Sequence, residues 1–488
     1  MEAEKIRFSL DTLFAHEEQQ VPVESAIPLP PGRTVGNVLS CAPVLEIREA
    51  RVKEGAVTLT GRLAVHLVLE TGERVLYAFD AAAEFSHSME VTGARESMEP
   101  RVFAQLLKCV CHREEDGLRL SALVDLHLWL LCQQEWEAVS AIRGAVGLES
   151  LQGTMPTRRR SLLGARAVQI QEETGVPQGT QILESRGTVR VDSWSQAPEG
   201  VTVNGTLLST LLLLTPQGQL EQQQLTTPFT QAVKLEGVKG EGLYVTGELT
   251  GYTARVDGEA LLLRGDVSLS VYGVNTGSLN LLLDAYDREG SFSCRRCQGE
   301  GLLFAGNVSG ERTGEGTLSV PNHLPEAEQV LYSLALPALL TWQKGPGGFE
   351  VEGVAFVTTV YRCESGLLHS FTGEVPLAFT LPGEGDLLLP GLCLGQSTVT
   401  GRGRTLMGRV TVTLQAEAYE HLSLTFTDDL LPGTPVPHSP GILLYAPDKG
   451  QTPFDLGKRF GVLQSRLREL NADLPSAFNG TERVIIIE

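Results

Sequence analysis

The stretch GAVTLTGRLAVHLVLETGERVLYAFDAAAEFSHSMEV (residues 55–91) decides the fold. Val57, Leu59, Leu63, Val65, Leu67 and Leu69 alternate with Thr58, Thr60, Arg62, Ala64, His66 and Glu70. A two-residue period predicts a strand with one face buried and the other wet. The ETGE turn that follows, and the second run after it, predict a hairpin. Gly61 stands mid-strand, where a glycine predicts a bulge or a close backbone crossing.

Two further stretches repeat this one. EGVTVNGTLLSTLLLLTPQGQLEQQQLTTPFTQAVKL starts at Glu199, and GGFEVEGVAFVTTVYRCESGLLHSFTGEVPLAFTL starts at Gly347. Gly61, Gly205 and Gly353 are equivalent, with successive spacings of 144 and 148 residues. Leu39, Leu183 and Leu331 each lie 22 residues before their glycine. SALVDLHLWL, RGDVSLSVYG and MGRVTVTLQA form a third landmark downstream. Shared spacing at three landmarks predicts three copies of one β unit. Most strands have no helical pattern between them, which argues against a parallel α/β sheet. The expected fold class is mainly β: three tandem antiparallel sandwich- or barrel-like units followed by a small βααβ domain. The expected boundaries are 1–153 (including an N-terminal extension), 162–305, 306–431, a proline-rich linker at 432–441, and a tail at 442–488. TMPTRRRS (154–161) reads as a connector, with Arg158 to Arg160 solvated. LPGTPVPHSPG (431–441) reads as a spacer that keeps modules apart.

Composition bounds the function. The 488 residues carry a formal charge of −20. The tail is neutral, so the upstream units hold the whole excess. Phosphate backbones and anionic membranes need clustered Lys and Arg, so nucleic acid is excluded as a partner. The N-terminal MEAEKIRFSLDTLFAHEEQQ has no apolar core of a secretory signal, and no run reaches the roughly 20 apolar residues of a membrane helix. The expectation is a protein that stays in the cytoplasm. Eight cysteines spread over the chain fit reduced thiols. Cys109, Cys111 and His112, and the Cys294/Cys297 pair, lack the four-ligand spacing of a zinc site, so no metal and no cofactor are expected. There is no P-loop, no G-x-S-x-G and no H-E-x-x-H. Carboxylate pairs such as Glu114/Glu115 and Asp428/Asp429 read as loop residues. No enzyme activity and no catalytic residue are expected.

The tail reads differently. ILLY (442–445) is a strand. Thr452 is an N-cap with Pro453 at the first helical position. Phe454 and Phe460 bracket a short helix ended by Gly461. Leu463, Leu467 and Leu470 make one apolar stripe of a second helix, Asn471 stops it, and RVIII closes with a strand. Tyr445, Gly450, Thr452, Leu456, Phe460, Gly461, Val462, Leu467, Asn471, Val484 and Ile485 stand in the register of a LysM pattern, and the tail resembles that family. The resemblance implies a ligand groove between two loops: Gly450, Gln451, Thr452 and Pro453 before the first helix, and Asn471, Ala472, Asp473 and Leu474 after the second. It also implies binding of N-acetylglucosamine-containing glycans such as peptidoglycan. The departures are Gln451 for the usual Asp, Pro447 for a strand valine, and Leu463 for a polar cap. With Pro453 and Leu474 they make the groove more apolar, which points to a protein partner.

Upstream, Val23-Glu24-Ser25-Ala26-Ile27-Pro28, the VL strand at 38–39 and GAVTLTGRL resemble the start of a SPOCS (DUF3794) domain. SPOCS units followed by one LysM resemble the layout of SipL-like spore coat morphogenesis proteins. That resemblance implies a scaffold in the mother cell, gathered on the forespore surface, whose tail engages a SpoIVA-like coat ATPase. The alternative is a peptidoglycan-binding protein of wall or cortex. Exposed strand edges add an expectation of self-association.

Overall fold

The alternation of apolar and polar residues carries through most of the chain, and in the computed structural model it gives a mainly β protein, with two short helices among the described residues. Residues 2–487 are described, apart from 116, 145, 236–241, 438–440 and 472. The first six strands are β1 (Glu2–Ile27), β2 (Asn37–Lys53), β3 (Ala56–Glu70), β4 (Leu76–Glu90), β5 (Glu99–Glu114) and β6 (Gly117–Arg143). The next are β7 (Glu149–Gly175), β8 (Gln181–Ala197), β9 (Gly200–Leu214), β10 (Leu220–Lys234), β11 (Tyr244–Asp257) and β12 (Ala260–Tyr286). Then follow β13 (Phe292–Ser319), β14 (Gln329–Gly345), β15 (Gly348–Arg362), β16 (Leu368–Leu381), β17 (Leu387–Thr400) and β18 (Thr405–Pro432). The tail holds β19 (Ile442–Tyr445), α1 (Pro453–Phe460), α2 (Gln464–Leu470) and β20 (Val484–Ile487), in βααβ order.

One topology recurs in the three groups of six. The meanders β2-β3-β4, β8-β9-β10 and β14-β15-β16 each form a three-stranded antiparallel sheet. Facing them lie β5-β6-β1, β11-β12-β7 and β17-β18-β13. In the first group Val57, Leu59, Leu63 and Val65 of β3 pack against Val124, Leu126 and Leu128 of β6, the core of a sandwich. β1 also pairs with β13 at Asp11↔Leu302, which joins the first and third groups into one six-stranded sheet.

The repeated landmarks have structural causes. Leu39, Leu183 and Leu331 are the extra residues of β-bulges, where the register skips between Val38/Ser40, Ile182/Glu184 and Val330/Tyr332. All three leucines meet in one cluster with Val68, Leu212 and Val360, which are also equivalent positions. The three groups therefore share an apolar junction. The mid-strand glycines stand opposite a second set of bulges, beside Ile47/Glu49, Val191/Ser193 and Leu339/Thr341. At Gly205 a Cβ would come within 2.4 Å of Phe229 Cζ and 2.6 Å of the Arg190 carbonyl, so the backbone approach excludes a side chain.

The long strands run beyond the sandwiches. The first half of β1 and the second half of β6 send Phe8, Leu10 and Ala138 into a second shared cluster. There they meet Met155, Leu281, Leu303, Leu424 and Phe426 of the other long pairs.

Three boundary expectations are corrected here. Residues 154–161 are not a connector. They lie inside β7 and pair with β12, Met155 opposite Leu279 and Pro156 opposite Ser278. β7 is an edge strand, and an edge tolerates a proline. Arg160 is not a free linker charge, because it pairs with Glu417 and sits 4.8 Å from the Tyr272 ring centre. β13 likewise runs unbroken through 305–306. The segment after β18 is not a spacer holding the tail away. Gly433 N donates to Ser291 O and Val436 N to Glu289 O, both at 3.1 Å, so it lies along the β12–β13 turn.

Candidate binding groove

The tail folds around Leu456, Val462, Leu467, Phe478, Val484 and Ile486. Thr452 caps α1 in a capping box: its Oγ1 accepts from Asp455 N (3.2 Å), and its own N donates to Asp455 Oδ2 (2.8 Å). Pro453 opens the helix, and Gly461 ends it in the left-handed conformation (φ 64°). Leu463 caps α2 with no side-chain hydrogen bond, and Asn471 is its C-cap.

The described candidate groove residues precede and open α1 and follow α2, and most of their polar groups already have partners. Gly450 N donates to Phe478 O and Phe478 N to Gln451 O, both at 2.8 Å. Gln451 Oε1 accepts from Asp448 N at 2.9 Å. Asn471 Nδ2 donates to Ile485 O and its Oδ1 accepts from Ile485 N, both at 2.7 Å, so this side chain ties α2 to β20. Asp473 is exposed with φ 58°, Leu474 packs against the tail core, and Pro453 is buried. Ala472 lies outside the described residues. Phe478 brings the two loops to one end of the tail: it is bonded to 450–451 and shares a core cluster with Leu474.

No local pattern in the chain signals that the tail is fastened to the body. Lys458 Nζ lies 2.6 and 2.7 Å from the two oxygens of Asp284, which also takes Arg296 Nη2 at 2.6 Å. Burial pushes the Asp284 carboxyl up, but Lys458 and Arg296 outweigh it and hold it below the ordinary aspartate range. Tyr286 donates to Val462 O at 2.9 Å and meets Phe454 edge-on at 5.1 Å. Gln464 N and Nε2 donate to Glu149 at 3.2 Å. The contact thus uses α1, the turn after it, the first residue of α2, and the joined ends of β7 and β12.

The cysteine clusters behave as packed thiols. Cys41 and Cys109 stand 3.8 Å apart, Cys294 and Cys297 pack in different clusters, and burial pushes the Cys111 thiol up to about 12. Asp428 and Asp429 are not loop residues. They lie in β18, each ion-paired with Arg295.

Among the described residues no helix is long and apolar enough to cross a membrane. No curated protein gives a significant match to the chain. Residues 34–113, from just before β2 to the end of β5, match the family model described as SipL, SPOCS domain. That match supports a SipL-like, SPOCS-containing protein and suggests a role related to sporulation.

Proposed function

We propose that this chain is a non-enzymatic scaffold of spore coat assembly, in which a LysM-like tail docks on a SpoIVA-like coat ATPase at the forespore surface, in the mother-cell cytoplasm. The three six-stranded groups are three SPOCS-type units forming the body. The observation that carries the tail assignment is that most polar groups of its groove are already hydrogen-bonded within the tail. Gly450, Gln451, Thr452 and Asn471 spend polar groups on Phe478, on Asp448, on the helix cap and on β20. A sugar site needs convergent polar groups that remain free for the ligand. What this groove offers is the partly exposed apolar side chain of Leu474 beside the exposed Asp473, which suits a protein surface better than a glycan.

The test uses the full chain against purified SpoIVA-like ATPase and, in parallel, against insoluble peptidoglycan. Retention on the ATPase that weakens in Asp473→Ala and Gln451→Ala supports the scaffold. Retention on peptidoglycan alone would make this a wall- or cortex-binding protein.

Self-association belongs to the same proposal. β19 is a short edge strand with Ile442 77% and Leu444 64% exposed, an apolar edge of the kind that pairs with another chain. Sedimentation showing only monomer at high concentration would remove it.

A further inference from the structure

On the face of the β5-β6-β1 sheet turned away from its sandwich core, three side chains converge. His16 and Glu18 stand two residues apart on β1 and so share a face. Glu18 is the register partner of His127 on β6. His16 Nε2 and His127 Nδ1 lie 3.5 and 3.4 Å from the same oxygen, Glu18 Oε1. One ligand atom from each residue lies within 4.8 Å of the others. Three ligands held about 2.1 Å from a tetrahedral ion stand about 3.4 Å apart, which is the spacing of Glu18 to each histidine. The two imidazole nitrogens lie within 4.8 Å of each other, and His16, on the open side, is the one free to close in.

Two features separate this cluster from an ordinary surface ion pair. The first is His127 itself. It is 5% exposed, and its Nδ1 is buried without a hydrogen-bond partner. Its other nitrogen, Nε2, stands 2.9 Å from Asp125 Oδ2, which can only accept, so Nε2 carries the proton. In that tautomer Nδ1 is a lone-pair nitrogen that repels the carboxylate oxygen 3.4 Å away. A cation between the two turns that repulsion into attraction.

The second feature is the support behind the ring. Gln105 Nε2 donates to Asp125 Oδ2 at 2.9 Å. Gln105 is itself held by the Leu339 backbone, donating to its carbonyl and accepting from its N–H, both at 2.7 Å. A carboxylate that fixes the far nitrogen of an imidazole is the arrangement that orients metal-binding histidines. On the open side the His16 ring lies flat on Trp129, centroids 4.8 Å apart and planes 6° apart.

We propose that His16, Glu18 and His127 form a site for one divalent transition-metal ion. The borderline set of two imidazoles and a carboxylate favours zinc, and a fourth position is left open on the side of His16 and Glu18.

The experiment uses the full chain, stripped of metal and kept reduced. Zinc is titrated against a chromophoric chelator, and cobalt(II) is followed by its visible spectrum. The wild type is expected to bind an ion that His16→Ala and Glu18→Gln each weaken by more than about 100-fold, and that Asp125→Asn weakens by about 10–100-fold. His16 and Glu18 are at the surface, so their variants do not threaten the fold. The eight cysteines offer rival ligands, so the deciding signal is the cobalt spectrum lost on substitution. Unchanged zinc affinity in His16→Ala, or thiolate charge-transfer bands on the ion those variants lose, would overturn the proposal.

Discussion

Replacing Lys458 with alanine should free the tail from the body. In the fastened state its ammonium meets both oxygens of Asp284, a side chain only 2% exposed. A hydrogen bond to a charged partner contributes about 1.5–3 kcal/mol. Lys458 is itself 36% exposed, and solvent screening brings the expected loss to about 1–2 kcal/mol. A loss of that size raises the undocked population about 5–30-fold. The readout is hydrogen exchange at the α1 amides in the full chain, with proteolysis in the 432–441 segment as a second probe. The tail core around Leu467 is built without Lys458, so the exchange of that core serves as the internal control. Acid should mimic the substitution. The Asp284 carboxyl is depressed by its two cations, so its contribution to docking is full above the ordinary aspartate range. It is lost as pH falls through the lower value of the docked state. Exchange at α1 that is the same in wild type and Lys458→Ala, with the same acid response in both, would refute the ion pair as the fastening.

Three other substitutions probe the body and the tail core. Tyr332→Phe removes one of the two hydroxyl donors to the buried Glu184 and should cost about 1–3 kcal/mol, read as a lower urea midpoint of the full chain; an unmoved midpoint would argue against that contact. Leu467→Ala empties a fully buried position in a small core, costs about 2–5 kcal/mol and should unfold the tail; dispersed NMR signals from residues 442–488 would contradict this. Gly205→Ala sets a methyl against Phe229 and the Arg190 carbonyl, of which only the ring can move, and should lower stability by about 1–3 kcal/mol; a melting temperature equal to wild type would show that the strands separate freely there.

The fold was legible wherever a local period carried it. The alternation in 55–91 is β3 and β4, and the equivalent glycines and leucines are equivalent in space. The order of the tail could be read because caps are local: Thr452, Pro453 and Gly461 act within one helical turn. What stayed hidden depends on contacts between distant residues. TMPTRRRS carries a proline and three arginines and so looks like a connector, yet edge position and pairing with β12 make it strand. The fastening of the tail joins Lys458 to Asp284 and Val462 to Tyr286, and no local pattern links them. The histidine cluster is the extreme case. Glu18 and His127 are neighbours only through the β1–β6 register, and the acceptor that orients the ring is on the same strand two residues away.

The shared junction also shows how three similar units can be held in a fixed order. Next to the three equivalent leucines stand Ser40, Glu184 and Tyr332, one from each group and all buried. Ser40 Oγ donates to one oxygen of Glu184 at 3.0 Å, and the Tyr332 hydroxyl donates to the other at 2.6 Å. Burial, with Glu184 adding to it, raises the Tyr332 phenol well above its ordinary range, so it stays a donor. Three identical units could not make this contact. Three glutamates would bury three carboxylates together, and three serines or tyrosines would supply donors with no carboxylate to receive them. The repeat sets the geometry of the junction, while positions at which the copies differ in polarity, among them 40, 184 and 332, decide which copy stands where. A buried polar set of this kind adds specificity more than net stability. Exchanging Ser40 and Glu184 between the first two groups tests that distinction: it keeps the composition but moves the acceptor, and should lower cooperativity of unfolding more than a Ser40→Ala change does. Equal unfolding curves for the exchange and the wild type would show that the apolar leucines alone hold the arrangement.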